Sequence, residues 1–472
     1  MQLSHAKRGT IAAGLATLSA NLLSIAPAWA QDTAPAPIAP PSAMASTGPA
    51  GLMDEGAPEP GSFVADSSVL FYKEAGSRVQ AIEPTFNVQQ NLYNGGIITG
   101  GVTFDSLTGA TPNGATRSNG LQTFTSVIRQ KTTSTQVTRT SASGGAVVTT
   151  IPGTALAQSS YTTPAYALPL GSFHDHRVAV NGGYSFLADP DTRIKLGGSF
   201  SIERDYTAFT EMLGVSRDLN AKNTTLSLTV NLEQDISRPF NGTPAAFQSL
   251  NSQITGGNDN KSTYGVLAGL TQTLARFWIT QINYSFTTSN GYQADPYRVL
   301  SLVDATGTPV DYLYENRPRS RQRQSVYWGN KLALGPTVAD ASLRYYHDSW
   351  GINAITAEVS EQVPINRYLY VKPMARYYHQ SAANFFQYYL LNSQTLPQYA
   401  SSDSRLSRFN ATTFGGRIGW RLIEDSELYL EGETYRQTGA HSVAGAPGAL
   451  AGVDLFTGVK AFSIMTGFRI KL

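Results

Sequence analysis

The sequence predicts an all-β chain, a single antiparallel transmembrane β-barrel of about 16 strands with short periplasmic turns and long extracellular loops. Three observations carry this. No apolar run of the roughly 18 residues that a membrane helix needs follows the first 30 positions. The composition is rich in Tyr (24), Phe (20) and Gly (43), with only 14% charged residues, as in a wall that shows lipid every second residue. From Val69 onward the hydrophobic period is two.

The first 30 residues read as a secretory signal. His5, Lys7 and Arg8 precede an apolar stretch, and Ala28-Trp29-Ala30 is a small-x-small cleavage pattern. Residues 31–65, rich in Pro, Ala, Ser and Gly, read as a disordered periplasmic leader. The barrel is then expected over 66–472. This places the chain in the outer membrane of a Gram-negative bacterium, with outer-membrane lipid and the barrel-assembly machinery as partners. The absence of cysteine excludes disulfides and thiolate metal sites. With 35 basic and 33 acidic side chains, there is no net field for nucleic acid.

The clearest strand is Thr225–Glu233. Leu226, Leu228, Val230 and Leu232 lie on one face, and Ser227, Thr229, Asn231 and Glu233 on the other. Near the C-terminus, Phe462, Ile464, Phe468, Ile470 and Leu472 alternate with Ser463, Arg469 and Lys471. Short turns are expected near Asn94-Gly95, Pro190, Asn220–Asn223, Arg276, Pro336, Pro364–Asn366 and Asp425. Long loops are expected over 107–173, 237–261, 292–321, 383–406 and 440–457, with tight outer turns near Asp205 and Trp350. If residues 67–74 lie outside the wall, the count falls to about 14 strands.

The inward face of the last third carries Lys372, Arg376, Arg417, Arg421, Glu427, Glu431, Glu433, Arg469 and Lys471 as lumen-lining candidates. Their mixed signs favour a ladder that holds the wall together over a selectivity filter. His174 and His176 flank Asp175 and share a face, which makes them weak metal candidates. No catalytic constellation is recognisable, so no enzymatic activity is expected.

The most specific string is Asp105-Ser106-Leu107-Thr108-Gly109-Ala110-Thr111, followed by Pro112-Asn113-Gly114. It resembles the acceptor motif of periplasmic flavin transferases. That resemblance implies covalent FMN on the Thr111 hydroxyl, with Asp105, Thr108, Gly109 and Ala110 as recognition residues and the transferase as a partner. The chemistry asks for an exposed hydroxyl on a small-residue loop. A near miss, Asp304-Ala305-Thr306-Gly307-Thr308, shows that the composition also produces such strings.

Val69–Glu74, Ala81–Pro84, the block from Asp105, Phe173–Arg177 and Asn223–Leu228 together resemble an uncharacterised family of proteobacterial outer-membrane barrels, a domain of unknown function. The likeness runs from about Asp66 onward, with residues 127–160 as an insertion and Thr111 where serine is more usual. Genes of that family often stand beside a flavin transferase, a small lipoprotein and a thioredoxin-like protein. Three functions follow as expectations: a porin-like transport or conduit barrel, a flavinylated redox platform with a sealed lumen, and a structural or adhesive surface protein.

Overall fold

The computed structural model describes residues 60–76, 78–128, 133–140, 146–153, 157–422, 426–441 and 443–472. The expected signal and most of the leader lie outside them. Sixteen antiparallel strands close into one barrel. They are β1 (Phe63–Glu74), β2 (Gln80–Asn91), β3 (Ile97–Pro112), β4 (Leu170–Asp189), β5 (Thr192–Ile202), β6 (Tyr206–Leu219), β7 (Thr224–Ser237) and β8 (Asp259–Ala275). Then follow β9 (Trp278–Gly291), β10 (Ser320–Leu334), β11 (Thr337–Asp348), β12 (Asn353–Pro364), β13 (Leu369–Gln380), β14 (Phe409–Arg421), β15 (Glu427–Gly439) and β16 (Lys460–Lys471).

Each strand pairs with its sequence neighbours, and β1 closes on β16 from Val64↔Lys471 to Glu74↔Ala461. Closure leaves no open edge, so the backbone polar groups are satisfied without water. The segment 67–74 lies inside the wall, which decides for 16 strands over 14. β1 starts at Phe63, three residues before the expected barrel boundary, because Val64 already pairs with Lys471.

The alternation is as expected. Leu226, Leu228, Val230 and Leu232 stand outward, 39–47% exposed, while Glu233 is buried inside. Outward aromatics form two girdles. Phe104, Tyr264, Tyr345 and Tyr377 stand towards one end, and Tyr184, Phe277, Tyr368 and Trp420 towards the other. Every connection at the second end is short, and all five long loops leave from the first.

Beneath those loops, tyrosines on alternate strands face the lumen. Tyr346, Tyr378, Tyr435 and Tyr72 each pair across the ladder with an alanine: Ala354, Ala411, Ala461 and Ala81. The small residue on one strand leaves room for the ring on the next. Each phenol bonds the polar side chain two residues on. Tyr72 donates to Glu74 (3.0 Å), Tyr346 to Asp348 (2.8 Å) and Tyr378 to Gln380 (2.7 Å), and Tyr435 accepts from Gln437 (2.7 Å).

Candidate functional site

The inward charges of the last third form ion pairs across strands. Lys372 meets Asp340 at 3.0 Å, Arg376 meets Glu358 at 2.5 Å, and Arg417 meets Glu431 at 2.8 Å. Arg469 lies 3.7 Å from Asp66, Glu427 accepts from Tyr370 at 2.5 Å, and Arg421 sits over the Tyr370 ring at 5.6 Å. Glu433 is buried on the same inward face, and Lys471 belongs to it near the short-turn end. Asp66, Asp340 and Glu358 were not among the sequence candidates. The period-two alternation that placed Arg376 inward could have found them.

The long loops meet one another over the mouth. Residues 299–303 and 309–314 form a hairpin, and Tyr389–Leu391 joins it in parallel, linking the β9–β10 and β13–β14 loops. The β3–β4 loop reaches the same sheet: Val299 N–H donates to the Asn113 carbonyl (2.8 Å) and Thr116 N–H to Ser301 Oγ (3.0 Å). The β15–β16 loop completes the contacts through Ala449 N–H to the Thr306 carbonyl (2.8 Å). It also packs Phe456 and Val459 on Phe409, Ala411 and Tyr435 of the inner wall. Loops rooted on strands around the circumference thus form one cap with apolar clusters of its own, such as Ala115, Phe124, Ile254, Val299 and Tyr314.

A buried charge cluster ties the cap together. Arg317, only 2% exposed, lies with its Nε 2.7 Å from Glu315 and its Nη2 2.8 Å from Asp403. Arg405 adds a 2.6 Å contact to Asp403, and Arg298 bridges Asp403 (3.5 Å) and Asp295 (3.4 Å). Glu315 also accepts from Ser401 Oγ and from Asp295 N–H, each at 2.5 Å. Three arginines thus face three carboxylates from two loops. Burial alone would raise Asp403, yet Arg298, Arg405 and Arg317 hold it well below the usual carboxylate range. Burial raises Glu315 against the pull of Arg317. The sequence offered no sign of this cluster, because its members lie in segments without periodicity.

The string from Asp105 to Thr111 is not on a flexible loop. It lies within β3, laddered to β4 from Asp105↔Arg177 to Thr111↔Gly171, and Thr111 is half-buried. Several of its residues have packing roles. Asp105 is buried and ion-paired with Arg177. Gly109 has φ +134°, and a Cβ there would lie 2.2 Å from the Arg78 carbonyl. Gly114 has φ +98°, and a Cβ would lie 2.3 Å from the Val299 carbonyl. Thr108 pairs with Gln80 and His174, and Ala110 with Ser172. The ladder extends the strand where composition alone suggested a loop, so the geometry lends flavin attachment no support. His174 and His176 stand on the outward face of β4 with ring centroids 4.5 Å apart, edge to face. No group of three potential metal ligands occurs among the described residues.

Among curated proteins, none matches the sequence. Several solved structures are similar to parts or most of the chain. The siderophore receptor PirA from Pseudomonas aeruginosa is 10% identical, with a TM-score of 0.36 over 86% of this chain and 62% of that one. The chain therefore spans less than two thirds of that receptor's length. A bacterial polysaccharide outer membrane secretin is 8% identical, with a TM-score of 0.42 over 87% and 98% of the two chains. OccK3 (OpdO) from Pseudomonas aeruginosa is also 8% identical, with a TM-score of 0.38 over 87% and 95%. The barrel assignment here stands on the chain's own strand pairing. The family model described as a protein of unknown function, DUF3570, matches residues 53–470. Since that match covers most of the chain, the protein belongs to the DUF3570 family.

Proposed function

We propose that the protein is a conduit in the outer membrane of a Gram-negative envelope, closed at its outer mouth by its own loops and opened when that cap moves. The long-loop end faces outward, following the habit of such barrels. The observation that carries the reading is the pairing of a polar, ion-paired lumen with a cap whose buried charges are mutually satisfied. A lumen that only filled space would gain more from apolar packing, since buried ion pairs rarely add stability over apolar residues of similar size. A cap held by ion pairs releases when the pairing is disturbed.

Planar-bilayer recording tests this. The wild type is expected to conduct rarely, and deletion of residues 440–459, the loop that packs on the inner wall, to raise the open fraction strongly. Silence in both, with folding verified by heat-dependent gel mobility, would sink the conduit reading and leave a sealed platform.

A further inference from the structure

We propose that the outer rim at the barrel seam binds the phosphate groups of an acylated glycolipid of the outer leaflet. The inference rests on the membrane-spanning reading above and on residues outside both lumen and cap. Arg436 on β15, Lys460 on β16 and Lys73 on β1 are all exposed on the outward face of three consecutive strands. Arg436 and Lys460 are direct cross-strand partners. Lys73 pairs with Phe462, two residues from Lys460 on the same face. None of the three has a side-chain partner among the described residues. Like charges directly opposite in a ladder repel, so an anion between them is the missing element.

Charge is sorted by face here. The outward positions of β14, β15, β16, β1 and β2 carry no Asp or Glu, while Asp66, Glu74, Glu83, Glu427, Glu431 and Glu433 of the same strands alternate to the other face. A merely solubilising rim would mix signs. The cations also stand immediately above the apolar belt. Phe462 and Ile464 lie below Lys460 on β16, and Phe71 lies below Lys73, with the Phe71 and Phe462 rings 5.9 Å apart. Next to Ile464, the directly paired Gly432 and Gly416 leave the outer surface low. A Cβ on Gly432 would meet nothing nearer than 3.9 Å, so the fold does not demand that glycine. The flanking Ile418, Leu430 and Phe414 are 49–61% exposed. Cations over an apolar depression match a phosphate head carrying acyl chains, whereas a free anion would use only the upper half.

The full chain, folded in detergent micelles, is titrated with a phosphorylated, multiply acylated glycolipid, with the same lipid after phosphate removal, and with inorganic phosphate, and the thermal midpoint and co-eluting lipid are read. The phosphorylated lipid is expected to raise the midpoint most and inorganic phosphate not at all. Arg436→Gln with Lys460→Gln is expected to weaken the apparent affinity on the order of thirty-fold, at about fivefold per cation near a membrane surface. The variant's folding is checked by heat-dependent mobility, with Lys73→Gln as a milder second variant. Equal responses to both lipids, or an unchanged affinity in the variants, would overturn the site. An equal response to inorganic phosphate would reduce it to a free-anion site. Conductance is not read here, so failure of this proposal leaves the conduit reading standing, and the reverse also holds.

Discussion

Replacing Arg317 with methionine is the sharpest test of the cap. The side chain is 1% exposed and its guanidinium contacts both Glu315 and Asp403. Methionine fills similar space but leaves two buried carboxylates short of a cation. Breaking one partner out of a buried pair costs about 3–5 kcal/mol. The side-chain ion pairs and hydrogen bonds of Arg317, Glu315 and Asp403 run to one another and to Asp295, Arg298, Ser401 and Arg405 of the same two loops, so the loss falls on cap closure. That is roughly two to three and a half orders of magnitude in the opening equilibrium. Single-channel recording in planar bilayers reads it as open fraction. Adding Glu315→Gln to Arg317→Met removes one of the stranded charges, and residues in one network couple rather than add. The double variant should therefore open less than Arg317→Met alone. An open fraction within about twofold of wild type in Arg317→Met, or strictly additive effects in the double variant, would refute a charge-held cap.

Four other outcomes follow. Asp403 supports the cap above its unfolded value of about 4 and loses that support as pH falls through its depressed folded value, whereas Glu315 supports the cap in acid and loses that support as pH rises through its raised one. The open fraction should thus fall as pH is lowered through the raised value of Glu315 and rise again as it is lowered further through the depressed value of Asp403, and a monotonic profile would count against this pairing. Glu211 is exposed on the outward face between Phe209 and Leu213, opposite Leu232; Glu211→Leu should stabilise the bilayer-inserted barrel by about 1–2 kcal/mol in urea titration. Trp350 is 2% exposed, donates Nε1–H to the Ser320 carbonyl at 3.0 Å and lies 4.1 Å under Arg321; Trp350→Ala should cost about 3–5 kcal/mol, seen as easier proteolysis of the adjacent loops. Co-expression with a flavin transferase should give a dark band, because Thr111 is laddered to Gly171; a fluorescent band lost in Thr111→Ala would show modification before β3 pairs.

The wall was legible because a barrel repeats one simple demand. Leu226 to Leu232 alternate with Ser227 to Glu233 since one face meets lipid and the other does not. Turn residues such as Asn94-Gly95 and Asn220–Asn223 then fix where each strand stops: Gly95 has φ +78°, and Asn220, Ala221 and Lys222 all have positive φ. The tight outer turns at Asp205 and Trp350 also lie where expected. The Asp105 string misled because small residues read as a loop, while their real constraint is a neighbour. Gly109 is needed where Arg78 approaches it, a contact nothing in positions 105–114 announces. Glu315, Arg317 and Asp403 were invisible for the same reason: Arg317 lies 86 residues from Asp403, Arg298 lies farther still, and no period links them.

The division between wall and cap has a physical consequence. The wall owes its stability to closure, since every strand has two neighbours and opening any seam exposes a full ladder of backbone groups to lipid. The cap has no such guarantee. It is built from separate apolar clusters, such as Trp350 with Phe385 and Leu406, and Val303 with Leu450 and Leu455, joined by ion pairs and a short three-residue parallel pairing at Ser301–Val303. Each cluster is small enough to separate without unravelling a neighbour, so the cap can move while the sixteen-stranded wall stays intact. A lumen closed in this way is gated by the chemistry of a few side chains at the mouth. Sensitivity to charge substitution should therefore concentrate at Arg298, Arg317, Arg405 and their carboxylates, and be weak at the wall pairs of Lys372 and Arg417, which remain between 22 and 34% exposed.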